Sequence, residues 1–412
     1  MSLASGTTRV YWMLRDVETD RAEAPTAGSP LARRPLLTPM DDTLWHQLPT
    51  TFDHVGTSDP RFFDRYWFAA SDPAGGGTLQ FTLGAYRNMN VMDGGFVAIR
   101  AGRQHNLRVS RSLRPRFETT CGPMSVDLIE PLHHARLFVE DGDHGVCAEL
   151  DWSSILPAQE EVPRFTRVRG RVVEESRRFD QIGECSGWVE LAGERVELDR
   201  WWATRDHSWG VRENMGIVEP QTGPAPPPSA GSLFSFLFFS TETFGGHLQL
   251  AQFAGRPDYF TCELTRRDDP EAPPLHLHLR SRASLEIEFS DASSPRRFRR
   301  VRYDATLSGD GPDRDVEVEA TALGASIDMQ GLGYGGYHDG RGLGVWRGED
   351  HLEHDVWDVS HPSEVARGEE RVRPIHRIQP VQVEIRGAGL DGQGTGSLTL
   401  IAEGHLPQLG LG

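Results

Sequence analysis

The 412-residue chain contains no lysine; all 43 of its basic residues are arginine. That absence removes whole classes of chemistry. No Schiff base can form on a lysine, so pyridoxal phosphate has no covalent anchor. Neither a P-loop nor a kinase-type phosphate site has the lysine it needs. Cysteine is scarce: Cys121, Cys147, Cys185 and Cys262 lie far apart, and no C-x-x-C pair occurs. Four scattered thiols suit neither a disulfide scaffold nor a zinc site, and a cytoplasmic location is expected. No run of about 18 apolar residues is present, so no membrane span is expected. Residues 1–10 lack the basic-then-apolar order of a secretory leader. A net charge of −17 repels a phosphate backbone, so no nucleic-acid partner is expected. The G-x-S-x-G elbow of α/β-hydrolases is missing as well.

What is present is alternation. In residues 145–152, Val146, Ala148, Leu150 and Trp152 share one face, with Cys147, Glu149 and Asp151 on the other. Residues 186–202 read as a hairpin turning at Ala192-Gly193-Glu194. Similar short runs continue to residue 402, punctuated by glycine and proline, and no long 3.6-period stripe interrupts them. The expected fold class is all-β, with sandwiches or barrels favoured over an α/β sheet. The length suits two or three domains. Residues 219–231 (EPQTGPAPPPSAG) are the most linker-like internal stretch. The expected division is an arm over 1–35, a first barrel over 36–215 and a second over 216–412, with an alternative boundary near 180.

Residues 198–213 read LDRWWATRDHSWGVRE. A carboxylate desolvated among indoles loses hydration of its charged form, so its pKa rises. A carboxylic acid raised towards neutrality can protonate an alkene or an oxygen. Indole faces then stabilise the resulting carbocation. Asp206 is the candidate proton donor, with His207 or Arg205 orienting or tuning it. Strand geometry sets a condition: Asp206 and Ser208 face one way, and Arg205, His207 and Trp209 the other. The group converges on one cavity only where the strand bulges, and Gly210 is a plausible place for that. The competing reading is structural, with Arg205 and Asp206 in ion pairs and the tryptophans in a core.

The string Arg205-Asp-His-Ser-Trp-Gly210, preceded by Trp201-Trp202, resembles the D-H-x-W motif of the carotenoid 1,2-hydratase (hydroxyneurosporene synthase)-like family. Arg65-Tyr-Trp-Phe68, the stretch from Gly84 to Gly94, and Gly331-Leu-Gly-Tyr-Gly-Gly-Tyr-His338 resemble glycine- and aromatic-rich strands of bacterial members. The resemblance covers roughly residues 45–400, and the lipocalin-like Diels–Alderases are similar at a greater distance. It implies two lipocalin-like antiparallel β-barrels packed in tandem. It also implies that Asp206 is the proton donor for alkene hydration. Where the hydratases carry a tyrosine shortly before that acid, this chain has Thr204.

The expected activity is therefore a cofactor-independent hydration, isomerisation or cyclisation of a hydrophobic small molecule: a terpenoid, a steroid-like compound or a polyketide. The expected catalytic set is Asp206, His207 and Arg205. The expected substrate-binding set is Trp202, Trp209, Tyr66, Trp67, Tyr334, Tyr337, His338 and His354. A non-catalytic carrier of lipophilic ligands and a pericyclase are the alternatives. No metal and no cofactor are expected. His351-Leu-Glu-His354 is one residue short of the inverted zinc motif. The G-x-G-x-x-G string at Gly331 lacks a βαβ context.

Overall fold

The computed structural model describes residues 39–42, 44, 49–114, 118–168, 170–216, 223, 231–253, 258–280, 284–291, 296–308, 312–336 and 340–411. The chain divides into two units, Met1–Gly56 and Thr57–Gly412. The described part of the first holds a short 3-10 turn, Pro39–Asp42. The second is all-β, as expected, and contains two curled antiparallel sheets.

The first sheet starts as a meander of Phe62–Ser71, Gly77–Tyr86, Val91–Arg100 and Arg103–Ser112. Its centre is a long hairpin, Arg171–Leu191 and Glu194–Val211. The hairpin turns at Ala192 and Gly193, both at positive φ (52° and 83°), which suits the primed turn that a twisted hairpin requires. Met124–Glu130, His134–Asp141 and Val146–Ser154 complete the curl. Phe68, Phe81, Phe96, Leu107, Met124, Leu137, Leu150, Trp152 and Trp201 fill its interior. The Arg111 side chain ties the Arg103–Ser112 strand to the segment at Glu118–Thr120 across the curl. Nε donates to the Thr120 carbonyl at 2.7 Å, Nη2 to that of Glu118 at 2.9 Å, and Nη1 to that of Ser112 at 2.7 Å.

The second sheet closes on itself. Leu275–Leu279 pairs with Arg297–Leu307, and Gly231–Thr241 pairs with Gly392–Gly404, giving an eight-stranded barrel. Leu237, Phe239, Leu248, Tyr303, Val318, Val383 and Leu398 fill it. The buried Tyr303 hydroxyl is satisfied by Ser235 Oγ at 2.6 Å. Full burial of each large apolar side chain contributes about 1.5–3 kcal/mol, so each barrel is held by its own apolar interior; the first still leaves a cavity of about 190 Å3 among Leu79, Ala98, Val189, Leu191, Val196 and Trp201.

Between Ala322 and Arg377 the chain leaves the second barrel and crosses to the first sheet. His351–Asp358 pairs with Arg103–Ser112. The crossing is anchored at Gln104: its Nε2 donates to the Asp328 carbonyl at 3.0 Å, and Asp328 N–H donates to Gln104 Oε1 at 2.8 Å. Glycine is required where this strap touches the sheet. A Cβ on Gly331 would lie 2.1 Å from Asn106 Oδ1, and one on Gly344 would lie 2.6 Å from the Tyr86 ring. No helix among the described residues is long and apolar enough to cross a membrane.

Candidate active site between the barrels

A one-residue bulge decides what the Glu194–Val211 strand presents. Near the turn, Leu191 pairs with Glu194 and Gly187 with Leu198; beyond the bulge, Cys185 pairs with Trp201. The extra residue sits at Asp199–Arg200, where Arg200 adopts φ 50°. Before the bulge, Val196 and Leu198 point into the first barrel; after it, Trp201 and Ala203 do. The parity has switched, which is what a bulge does to a two-residue repeat. Trp202, Asp206 and Ser208 consequently face outward, towards the second barrel. The same shift moves Asp180 opposite Asp206 instead of Arg205.

Across the sheet, Trp67, Asp206 and Asp180 are cross-strand partners in one row, and Arg65, Ser208 and Arg178 are partners in the next. Opposite them stands Gly231–Thr241, whose sequence is apolar on both faces. Leu233, Leu237 and Phe239 enter the second barrel. Phe234, Phe236 and Phe238 point back at the first, with the Phe236 and Phe238 rings 4.3 Å apart. The two walls enclose a cavity of about 210 Å3 whose lining includes Trp67, Arg178, Asp206, Ser208, Arg212 and the three phenylalanines. Met329, Tyr334 and His376, brought in by the strap, close it. Arg212, Tyr334 and His376 also line a wider vestibule of about 830 Å3.

Burial pushes the Asp206 carboxyl pKa above the usual carboxylate range, against the pull of the Arg178 and Arg212 charges. Ser208 Oγ approaches Asp206 Oδ1 at 3.4 Å. Asp180 is 2% exposed, and neither of its oxygens accepts a hydrogen bond. Burial, with the nearby Glu161 carboxylate adding to it, drives the Asp180 pKa well up, which favours its protonated form. Glu161 stays ionised because Arg178 and Arg164 hold it, at 3.1 Å and 3.2 Å. His376 is neutral: burial, then Arg212 and Arg297, push its pKa down to about 4. The site thus offers a carboxyl raised in pKa beside an indole, opposite a wall of phenylalanine.

Asp206, Trp67 and Tyr334 meet in this cavity. Trp202 lies deeper along the same seam, packed with Leu156, Ile182, Phe236 and Phe238, and its Nε1 donates to Ser240 Oγ at 3.0 Å. Arg205 and His207 face the other way. The Arg205 guanidinium lies over the rings of Phe68, Trp152 and Phe179 at 5.3, 5.2 and 5.1 Å. His207 bonds Asp64 Oδ1 at 2.7 Å, with the rings of Tyr66 and Trp209 at 4.7 and 5.3 Å. No bulge occurs at Gly210, and the regular register there keeps these four residues out of the cavity. His354 sits on the strand paired with Arg103–Ser112, beside His105 and His144, with ring centroids 6.0 and 5.1 Å away. Tyr337 and His338 lie outside the described residues.

Asp180, Arg178, Arg212, His376 and the phenylalanine wall were not anticipated. Only the last had a readable signal, a strand apolar on both faces, which marks burial on both sides.

No curated protein matches the chain. Among solved structures, kievitone hydratase from Nectria haematococca aligns over 85% of this chain and 93% of its own, at 11% identity and a TM-score of 0.44. CghA aligns over 84% and 90%, at 10% identity and a TM-score of 0.46. CghA with Sch210972 aligns over 83% and 88%, with the same identity and TM-score. Residues 37–393 match a family of unknown function, DUF8625, and the chain belongs to that family.

Proposed function

We propose that the protein is an enzyme that uses Asp206 as a general acid on an alkene of a hydrophobic small molecule bound between the barrels. The observation that carries this reading is the Asp206 carboxyl, raised in pKa and facing a cavity walled by Trp67 and three phenylalanines. The acid transfers its proton to one alkene carbon, leaving a carbocation at the other and a carboxylate on Asp206. Aromatic faces stabilise that cation. Water then adds and returns a proton to Asp206, which is hydration. Loss of a neighbouring proton gives isomerisation, and attack by a second alkene followed by proton loss gives cyclisation. Each route regenerates the acid without a redox partner. General acid catalysis supplies typically about 10²–10⁴-fold, and fixed positioning in the cavity adds to it.

Asp180 remains neutral and adds no negative charge next to the acid. Arg205 and His207 serve as positioning residues, anchoring the opposite face of the strand that carries Asp206. A terpenoid, a steroid-like compound or a polyketide suits the wall opposite the acid.

The test compares a deletion strain complemented with wild type or with Asp206→Asn, by untargeted mass spectrometry of lipophilic metabolites. A precursor that accumulates only with the variant, and that is isomeric with the product or differs from it by one water, is the expected result. Identical profiles from the two complements, with equal melting temperatures, would refute acid catalysis. A carrier or pericyclase would then account for any difference from the deletion.

A further inference from the structure

Acid catalysis at Asp206 leaves Arg212 unexplained. Its guanidinium packs over the Phe63 ring at 4.7 Å and forms no hydrogen bond or ion pair with any described residue. The other seam cations do have partners: Arg65 pairs with Asp93 at 3.0 Å, Arg178 with Glu161 at 3.1 Å, and Arg367 with Asp328 at 2.6 Å. Arg212 also lines both the inner cavity and the vestibule, so its charge stands where the two spaces join. Burial disfavours that charge. An unpaired cation in such a position lacks a counterion that a ligand can supply.

We propose that the substrate bears a carboxylate, that Arg212 holds this group at the junction of cavity and vestibule, and that the apolar body lies against Phe234, Phe236 and Phe238. The inference rests on the acid-catalysis reading and names the substrate class for that same site. A carboxylate matches one guanidinium in both charge and shape, through two parallel N–H···O bonds. A phosphate monoester would bring up to two charges to a single unpaired cation. Neutralising Arg212 also acts on the acid: its charge is one of those holding the Asp206 pKa down. Binding of the head group therefore favours the protonated donor, and the acid is charged for reaction when substrate is in place.

The probes are decanoate, decan-1-ol and decyl phosphate, titrated calorimetrically into the full chain at neutral pH. For wild type, decanoate should bind about tenfold or more tighter than the alcohol, the usual worth of a charge-assisted pair. Decyl phosphate should bind no tighter than decanoate. Arg212→Met should bind acid and alcohol alike, while Arg212→Lys keeps part of the preference because it keeps the charge and loses the fork. Melting temperatures of both variants establish folding, and a misfolded Arg212→Met leaves Arg212→Lys to show the partial loss. Absence of decanoate binding to wild type, an undiminished preference in both variants, or a tenfold preference for the phosphate overturns the proposal. These titrations read no turnover, so their failure is distinct from a negative metabolite comparison at Asp206.

Discussion

Alanine at Gly331 tests the strap that closes the site. The added Cβ would lie 2.1 Å from Asn106 Oδ1 and 2.7 Å from Gln104 Nε2. Neither amide is free to move: both residues are fully buried, Gln104 Nε2 donates to Asn106 Oδ1 at 2.7 Å, and Asn106 Nδ2 donates to Asp355 Oδ1 at 2.8 Å. Relief requires the strap to lift, which breaks the two hydrogen bonds between the Gln104 side-chain amide and the Asp328 backbone. Two such bonds contribute about 1 kcal/mol each, and overpacking costs about 1–3 kcal/mol, so the expected loss is about 3–5 kcal/mol. A loss of that size lowers the melting temperature by about 3–6 °C in a chain of this length. Lifting the strap also carries Met329 and Tyr334 away from the cavity, so conversion of the accumulated precursor should fall as well. The control is Gly142→Ala, where a Cβ meets nothing within 4 Å; its stability should stay within about 0.5 kcal/mol of wild type. Circular-dichroism melts of both variants decide the matter. A Gly331→Ala protein that melts within a degree of wild type would refute the close-approach argument.

Asp180→Asn should raise the melting temperature at pH 7. The folded chain keeps a proton on Asp180 that the unfolded chain releases above about pH 4, so stability falls as pH rises past that point. The gap between variant and wild type should therefore close on acidification below about pH 4; a gap independent of pH would contradict a protonated Asp180. His376 has the opposite sign. Its folded pKa near 4 lies below the usual 6.5, so the unfolded chain takes up the proton first and stability falls as pH drops through that window. In His376→Gln, thermal melts between pH 7 and 4 should show a shallower decline, and an unchanged slope would count against a neutral buried imidazole. Trp202→Phe removes the Nε1–H bond to Ser240 while keeping most of the apolar body, and should cost about 1 kcal/mol with the seam otherwise intact. Arg111→Ala releases four carbonyl contacts, to Ser112, Leu113, Glu118 and Thr120, and should raise hydrogen exchange around Thr120–Cys121; unchanged protection there would show that other contacts hold the junction.

The alternation that marks strands was legible throughout, because period two survives whatever the strand packs against. The all-β class follows from it, and so does the hairpin turn at Ala192-Gly193. The separation of Asp206 from Arg205 and His207 was legible as well, since neighbours on a strand point apart. What could not be read was the bulge. Asp199 and Arg200 carry no composition that marks them as its position; Gly210, the natural candidate, sits in regular register, and its φ of 129° lets the backbone pass Glu175 closely. Without the bulge, hairpin counting places Asp180 opposite Arg205, and the carboxyl row does not exist. His376 was out of reach for a different reason. It enters through a strap that returns from the first sheet, a tertiary path with no local periodicity to announce it.

The candidate site lies between the barrels and not inside either one. A small barrel either keeps its interior open for a ligand or packs it with side chains; here side chains fill most of both interiors, leaving a cavity of about 190 Å3 in the first. The seam where two outer faces meet holds a cavity of about 210 Å3, the one lined by Asp206, Trp67 and three phenylalanines. Such a seam combines things one barrel interior does not supply easily. One wall, the first sheet, carries charged residues in register: Arg65 and Arg178 beside Ser208, and Asp180 beside Asp206. The other wall is a strand with apolar side chains to spare on both faces. Ion pairs buried in a closed core recover little net stability. At a seam their cost is borne by two sheets whose own cores are complete, so charge can be arranged for chemistry without undoing either fold. The strap completes the design by fixing the distance between walls. Its glycines at 331 and 344 permit no gap against the first sheet, so Tyr334 and His376 are held at the mouth.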